Sequence, residues 1–123
     1  MRQEFYPNGQ LKKRTLYQPK IEGGKKHGIE KSWYEDGQLH EERSFINGVK
    51  QGTEKWWYRN GSLASEASFK DGKLSGIERR WRPTGELASE ITFVAGQKHG
   101  LTKFWKANGK LRKKLMYEYG KIQ

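Results

Sequence analysis

The chain is expected to be an all-β protein, an elongated single-layer antiparallel meander in which about ten strands follow one another as hairpins, two strands to each 24-residue repeat. Three observations predict this. Glycine recurs with a step of 24 in three series, at Gly28, Gly52, Gly76 and Gly100, at Gly37, Gly61, Gly85 and Gly109, and at Gly48, Gly72, Gly96 and Gly120. Phe5, Trp33, Trp57, Trp81 and Trp105 stand four residues before a turn glycine, Leu11, Leu39, Leu63, Leu87 and Leu111 two after it, and Tyr17, Phe45, Phe69, Phe93 and Tyr117 six further on. The segments between glycines are too short for helices and rich in Trp, Tyr, Phe, Thr and Ile, which suit a pleated surface.

The period divides the chain into units of about 1–27, 28–51, 52–75, 76–99 and 100–123, all within a single domain. The first unit carries four extra residues in Gln18-Pro19-Lys20-Ile21-Glu22-Gly23-Gly24, read as a longer loop or bulge. The first turn of each unit is read from Pro83-Thr84-Gly85. A three-residue loop puts proline where its fixed φ is wanted, whereas a two-residue loop would force the β-branched Thr84 to positive φ. The second turn, at Asp71-Gly72, is assigned to the same scheme. Odd loops then keep parity constant along the sheet. Odd positions such as Trp57, Leu63, Ala67, Phe69 and Trp81 form one apolar face, and even positions form a wetted face.

Composition restricts the function. Apolar residues are 33%, but 13% of the chain is aromatic and regularly placed, which favours an ordered thin structure over disorder. With no cysteine, thiolate metal sites, disulfides and cysteine nucleophiles are excluded. No apolar run approaches the roughly 20 residues of a spanning helix, and the opening MRQEFYPNG lacks a signal-type apolar core, so a cytoplasmic location is expected. The net charge of +11 divides into +5 over residues 1–27, −1 over 28–97 and +7 over 98–123. The ends are basic and the middle neutral, unlike the continuous stripe of a nucleic-acid binder.

On this register Glu30 and Glu42, Glu54 and Glu66, and Glu78 and Glu90 face one another; paired carboxylates can share a proton or bind a cation, but without a pocket they read as a solvated ladder. His27 and His99 fall at equivalent turns and His40 stands alone, so no histidine metal site is expected. No nucleophile motif or phosphate loop is present, which argues against an enzyme and against a cofactor. Trp56, Tyr58, Arg80, Arg82, Phe104 and Lys106 occupy even positions and vary between units, as partner-binding residues would. Lys12, Lys13 and Arg14 and their counterparts Arg112, Lys113 and Lys114 are candidates for polyanions, and equally for protection of terminal strands against aggregation.

The recurring pattern, an aromatic, one residue, Asn or Asp and then Gly, as in Tyr34-Glu35-Asp36-Gly37, Tyr58-Arg59-Asn60-Gly61 and Phe45-Ile46-Asn47-Gly48, resembles the MORN (membrane occupation and recognition nexus) repeat. The Lys26-His27-Gly28 and Lys98-His99-Gly100 turns extend the resemblance over nearly the whole chain. It is closest to the variant repeats of bacterial proteins, many of which carry an antitoxin label. The resemblance implies a non-enzymatic scaffold of successive hairpins that binds another protein, with an antitoxin or immunity-type, toxin-like partner as one form. The alternative partners are nucleic acid or an anionic membrane at the basic ends, or a second copy through the terminal strands.

Overall fold

The computed structural model describes residues 1–17 and 24–123. Apart from Gly24, the expected long loop of the first unit lies outside the described residues. What is described is one open antiparallel sheet. Its ten principal strands are β1 (Arg2–Phe5), β2 (Leu11–Thr15), β3 (Gly28–Trp33), β4 (Leu39–Ile46), β6 (Gly52–Trp57), β7 (Leu63–Lys70), β9 (Gly76–Trp81), β10 (Leu87–Val94), β11 (Gln97–Trp105) and β12 (Leu111–Glu118). Three two-residue segments, β5 (Val49–Lys50), β8 (Lys73–Leu74) and β13 (Lys121–Ile122), complete the tight turns. Successive principal strands pair in sequence order.

The first turn of each hairpin follows the proline argument. In the third unit the Gly61 amide donates to the Tyr58 carbonyl at 2.9 Å and the Tyr58 amide to the Ser62 carbonyl at 2.9 Å. Gly61 takes φ 89°, while Asn60 stays out of the left-handed region and accepts the Ser62 amide on Oδ1. Gly85 closes onto Arg82 in the same way.

The second turn differs from the expectation. Asp71 and Gly72 both have positive φ, 52° and 83°, and Lys70 pairs directly with Lys73, so the loop has two residues of the mirror-image type that matches strand twist. Phe69 therefore lies opposite Leu74, not Lys73.

A bulge follows each first turn. Trp57 pairs with Leu63 but Trp56 with Ser65, leaving Ala64 as an extra residue; Lys12, His40, Ala88 and Arg112 hold the corresponding place. One extra residue reverses parity beyond it. The single odd apolar face is consequently overturned. One face, called face I, carries even residues of each unit's first strand with odd residues of its second, among them Glu54, Trp56, Ser65, Ala67 and Phe69. Face II carries Trp57 with Leu63, and Lys55 with Glu66.

Apolar side chains thus cover both faces, and with one layer few are sealed from water. The six buried residues among those described, Thr15, Glu30, Phe45, Ala67, Ser89 and Thr102, all belong to face I. The tryptophans Trp33, Trp57, Trp81 and Trp105 are half-buried on face II against Leu39, Leu63, Leu87 and Leu111. Neighbouring units are also tied through their turns: the amides of Gly48, Gly72, Gly96 and Gly120 reach the carbonyls of Lys26, Lys50, Leu74 and Lys98 at 2.7–2.9 Å.

Candidate functional site

Trp56, Arg80 and Phe104 each stand one residue before the last residue of a first strand, so a constant register brings them into line. The line runs Trp56, Ser65, Arg80, Ser89, Phe104 through direct cross-strand pairs on face I. With strands about 4.8 Å apart, the three large side chains stand about 10 Å from one another, separated by serines. Trp56 is 43% exposed although it shares face I with the buried residues.

Tyr58, Arg82 and Lys106 begin the turns above this row. The Tyr58 hydroxyl donates to the Trp81 carbonyl at 2.6 Å, as Tyr6 does to Trp33 and Tyr34 to Trp57, both at 2.7 Å. Arg82 replaces tyrosine in the series and donates through Nη2 to the Trp105 carbonyl at 2.7 Å. Tyr58 and Arg82 therefore tie adjoining units together as well as bordering the face. Sequence reasoning missed this ladder. Its signal was the residue after the last aromatic of each first strand, which is tyrosine at Tyr6, Tyr34 and Tyr58, then arginine at Arg82 and lysine at Lys106.

Two adjoining grooves open on face I, of about 540 and 620 Å³, and Tyr58 and Arg80 border both. The first contains Trp56, Glu54, Glu78, Phe69 and Leu74 over Ala64, Ser65 and Ala67. The second contains Arg82, Pro83, Phe104, Lys106 and Arg112 over Ala88 and Ser89. All six partner-binding candidates thus line one groove or the other. Their floor residues Ser65 and Ser89 were not singled out, because only the bulge turns odd positions of the second strands onto this face, beside the even Ala64 and Ala88. At the same place His40 stacks on Tyr34, with ring centres 4.3 Å apart, and meets the edge of Trp56 at 5.3 Å.

The expected carboxylate pairs do not form, and the bulge is the reason. Glu30 lies opposite Arg43, Glu54 opposite Ala67 and Glu78 opposite Ile91 on face I, whereas Glu42, Glu66 and Glu90 lie opposite Lys31, Lys55 and Arg79 on face II. Glu30 is 3% exposed and accepts from Thr15 Oγ1 at 2.7 Å and Arg43 Nε at 2.9 Å, with Lys26 Nζ at 3.0 Å and Lys13 Nζ at 3.7 Å. Burial pushes its pKa up, but the hydrogen bonds from Thr15 and Lys26 and the charges of Lys13 and Lys26 outweigh it and hold the carboxyl below its ordinary value. Glu54 is paired with Lys50 at 2.7 Å and Glu78 with Arg80 at 3.1 Å.

The basic end residues divide between faces. Lys13 and Lys113 fall in the Trp56 row of face I, while Arg14 and Lys114 belong to face II. Lys12 lies 5.5 Å from the Tyr6 ring centre, Arg14 5.8 Å from that of Trp33 and Arg112 5.5 Å from that of Phe104. His27 just before β3, and His99 within β11 and not in a turn as expected, accept on Nδ1 the amides of Asn47 at 3.5 Å and Tyr119 at 3.1 Å. Among the described residues no three His, Asp or Glu side chains converge as a metal site, and no helix is long and apolar enough to cross a membrane.

The family model for the MORN repeat variant matches residues 2–18, 26–47, 50–71 and 98–119, more than half of the chain. No curated protein and no solved structure gives a significant match. The chain belongs to the MORN repeat variant family, whose modules are generally protein-binding scaffolds and typically non-catalytic. Residues 72–97 lie outside the matched segments but keep the same hairpin geometry, with Arg82 standing in for tyrosine.

Proposed function

We propose that this module docks a partner protein on face I, across the central strands, and does so without catalysis. The observation that carries the reading is the line of Trp56, Arg80 and Phe104, spaced by Ser65 and Ser89 and opening into grooves on either side of Arg80. Arg80 is 64% exposed in its side chain, and large aromatics beside arginine over small residues supply the desolvated anchors that dominate protein interfaces. A toxin-like partner, with the module acting as antitoxin or immunity protein, is the specific form that the family resemblance suggests.

The test is capture with the full chain, followed by reconstitution with the purified protein that is retained. Trp56→Ala combined with Arg80→Ala should abolish its binding, whereas Arg14→Ala combined with Lys114→Ala on face II should leave it intact. Retention of the same partner by the Trp56 and Arg80 variant would overturn the assignment of the face.

A further inference from the structure

Resting on the docking of a partner on face I, we infer that the groove bounded by Arg82, Phe104 and Arg112 receives an acidic, extended segment of that partner. Four cations line it, Arg80, Arg82, Lys106 and Arg112, and no carboxylate does. Arg80 is paired with Glu78 at 3.1 Å; no ion pair engages the other three among the described residues. Glu86, on the turn after Pro83, interacts electrostatically with Arg82 without lining the groove. Arg82 spends one guanidinium nitrogen on the Trp105 carbonyl, while its Nε is shielded from solvent and has no acceptor.

The neighbouring groove sets the contrast. There Glu54 and Glu78 already balance Lys50 and Arg80, so the uncompensated positive charge is confined to one side of the Tyr58 and Arg80 ridge. That confinement favours a peptide over a nucleic acid. A phosphate backbone continuing along face I toward β6 and β4 would meet Glu78, Glu54 and Glu41, whereas a short peptide ends before them. Phe104, Pro83 and Tyr58 supply an apolar wall for one side chain set between carboxylates.

The experiment titrates the isotope-labelled full chain with a short peptide of Asp and Glu around one Leu, with a Lys-for-acid version of that peptide, and with a single-stranded DNA oligonucleotide of matched charge. The acidic peptide should shift the amide signals of Ala88, Ser89 and Phe104. Its affinity should fall at least about tenfold in Lys106→Ala combined with Arg112→Ala, and stay unchanged in Lys12→Ala combined with Lys13→Ala, which removes the same charge elsewhere. No shift at these amides, an equal loss in both variants, or tighter binding of the oligonucleotide overturns the inference. Partner capture separates it from the reading it rests on. A partner lost with Trp56→Ala and Arg80→Ala but kept with Lys106→Ala and Arg112→Ala would leave the docking face standing and remove the acidic segment.

Discussion

At positive φ a side chain beyond glycine has to justify itself, and among the described residues four do so to different degrees. Asn47, Asp71, Ala95 and Tyr119 open the tight turns at φ 45–52°, each followed by glycine. Asn and Asp tolerate this region through local hydrogen bonding, whereas alanine has no such compensation and carries a left-handed cost of about 1–2 kcal/mol. Ala95→Asn should therefore stabilise the protein by about 0.5–1 kcal/mol, raising the thermal midpoint by about 2–4 °C; an unchanged midpoint in calorimetry would remove the strain argument. Glu30 is the other single residue with a separate consequence. Its carboxyl is held below the ordinary value by Thr15, Lys26 and Lys13 despite burial, so the folded state binds the proton less readily than the unfolded state does. The stabilisation is full above the ordinary carboxylate pKa of 4.5 and is lost as pH falls from there through the lowered value. Denaturant midpoints measured from pH 7 downward should fall over that window, and fall less in Glu30→Gln, which starts less stable because it lacks the charge that Lys26 and Arg43 face.

Between hairpins, the units are held by backbone pairing and by the ladder of Tyr6, Tyr34, Tyr58 and Arg82 onto the tryptophan carbonyls of the next unit. Tyr34→Phe keeps the ring against His40 and deletes one rung, for an expected loss of about 1 kcal/mol; the urea midpoint should drop with the slope unchanged, and a midpoint equal to wild type would assign the ladder no role. The hairpins themselves were legible in the sequence, since from Gly28 onward glycine and aromatic positions repeat without slippage. The loop at Pro83 was legible too, because proline admits one φ. The bulge was not. Lys12, His40, Ala64, Ala88 and Arg112 share no chemistry, and nothing in a residue type marks it as the unpaired one in a strand. Asp71-Gly72 was misread because the same dipeptide serves either loop length, and pairing decides between them. Trp56, Arg80 and Phe104 share one place in successive first strands and align whatever face they take, while the serines set between them, Ser65 and Ser89, come from second strands and reach that face only through the bulge.

Across the whole sheet, face II carries a row of charges that passes through nine strands by direct pairing: Arg14, Lys31, Glu42, Lys55, Glu66, Arg79, Glu90, Lys103 and Lys114. From Lys31 to Lys103 the sign alternates at every step, and at both ends two cations meet. The basic termini of the sequence are thus the places where alternation stops, and like charge at each end opposes the meeting of two such sheets edge to edge. Within the row, each charge from Glu42 to Glu90 has two opposite neighbours, so it acts on both strands beside it. Glu66→Lys sets three cations side by side at Lys55, position 66 and Arg79, and each like-charged cross-strand pair costs up to about 1 kcal/mol. The loss should shrink in high salt, because these half-exposed groups are screened. The exchange Lys55→Glu with Glu66→Lys distinguishes a row from a set of separate pairs. Were Lys55 and Glu66 an isolated pair, the exchange would restore their attraction and the midpoint. In a row it mends one contact and creates two repulsions, Glu42 against position 55 and Arg79 against position 66. The doubly exchanged chain should stay well below wild type in low salt, and recovery of the wild-type midpoint there would show that the pairs act independently.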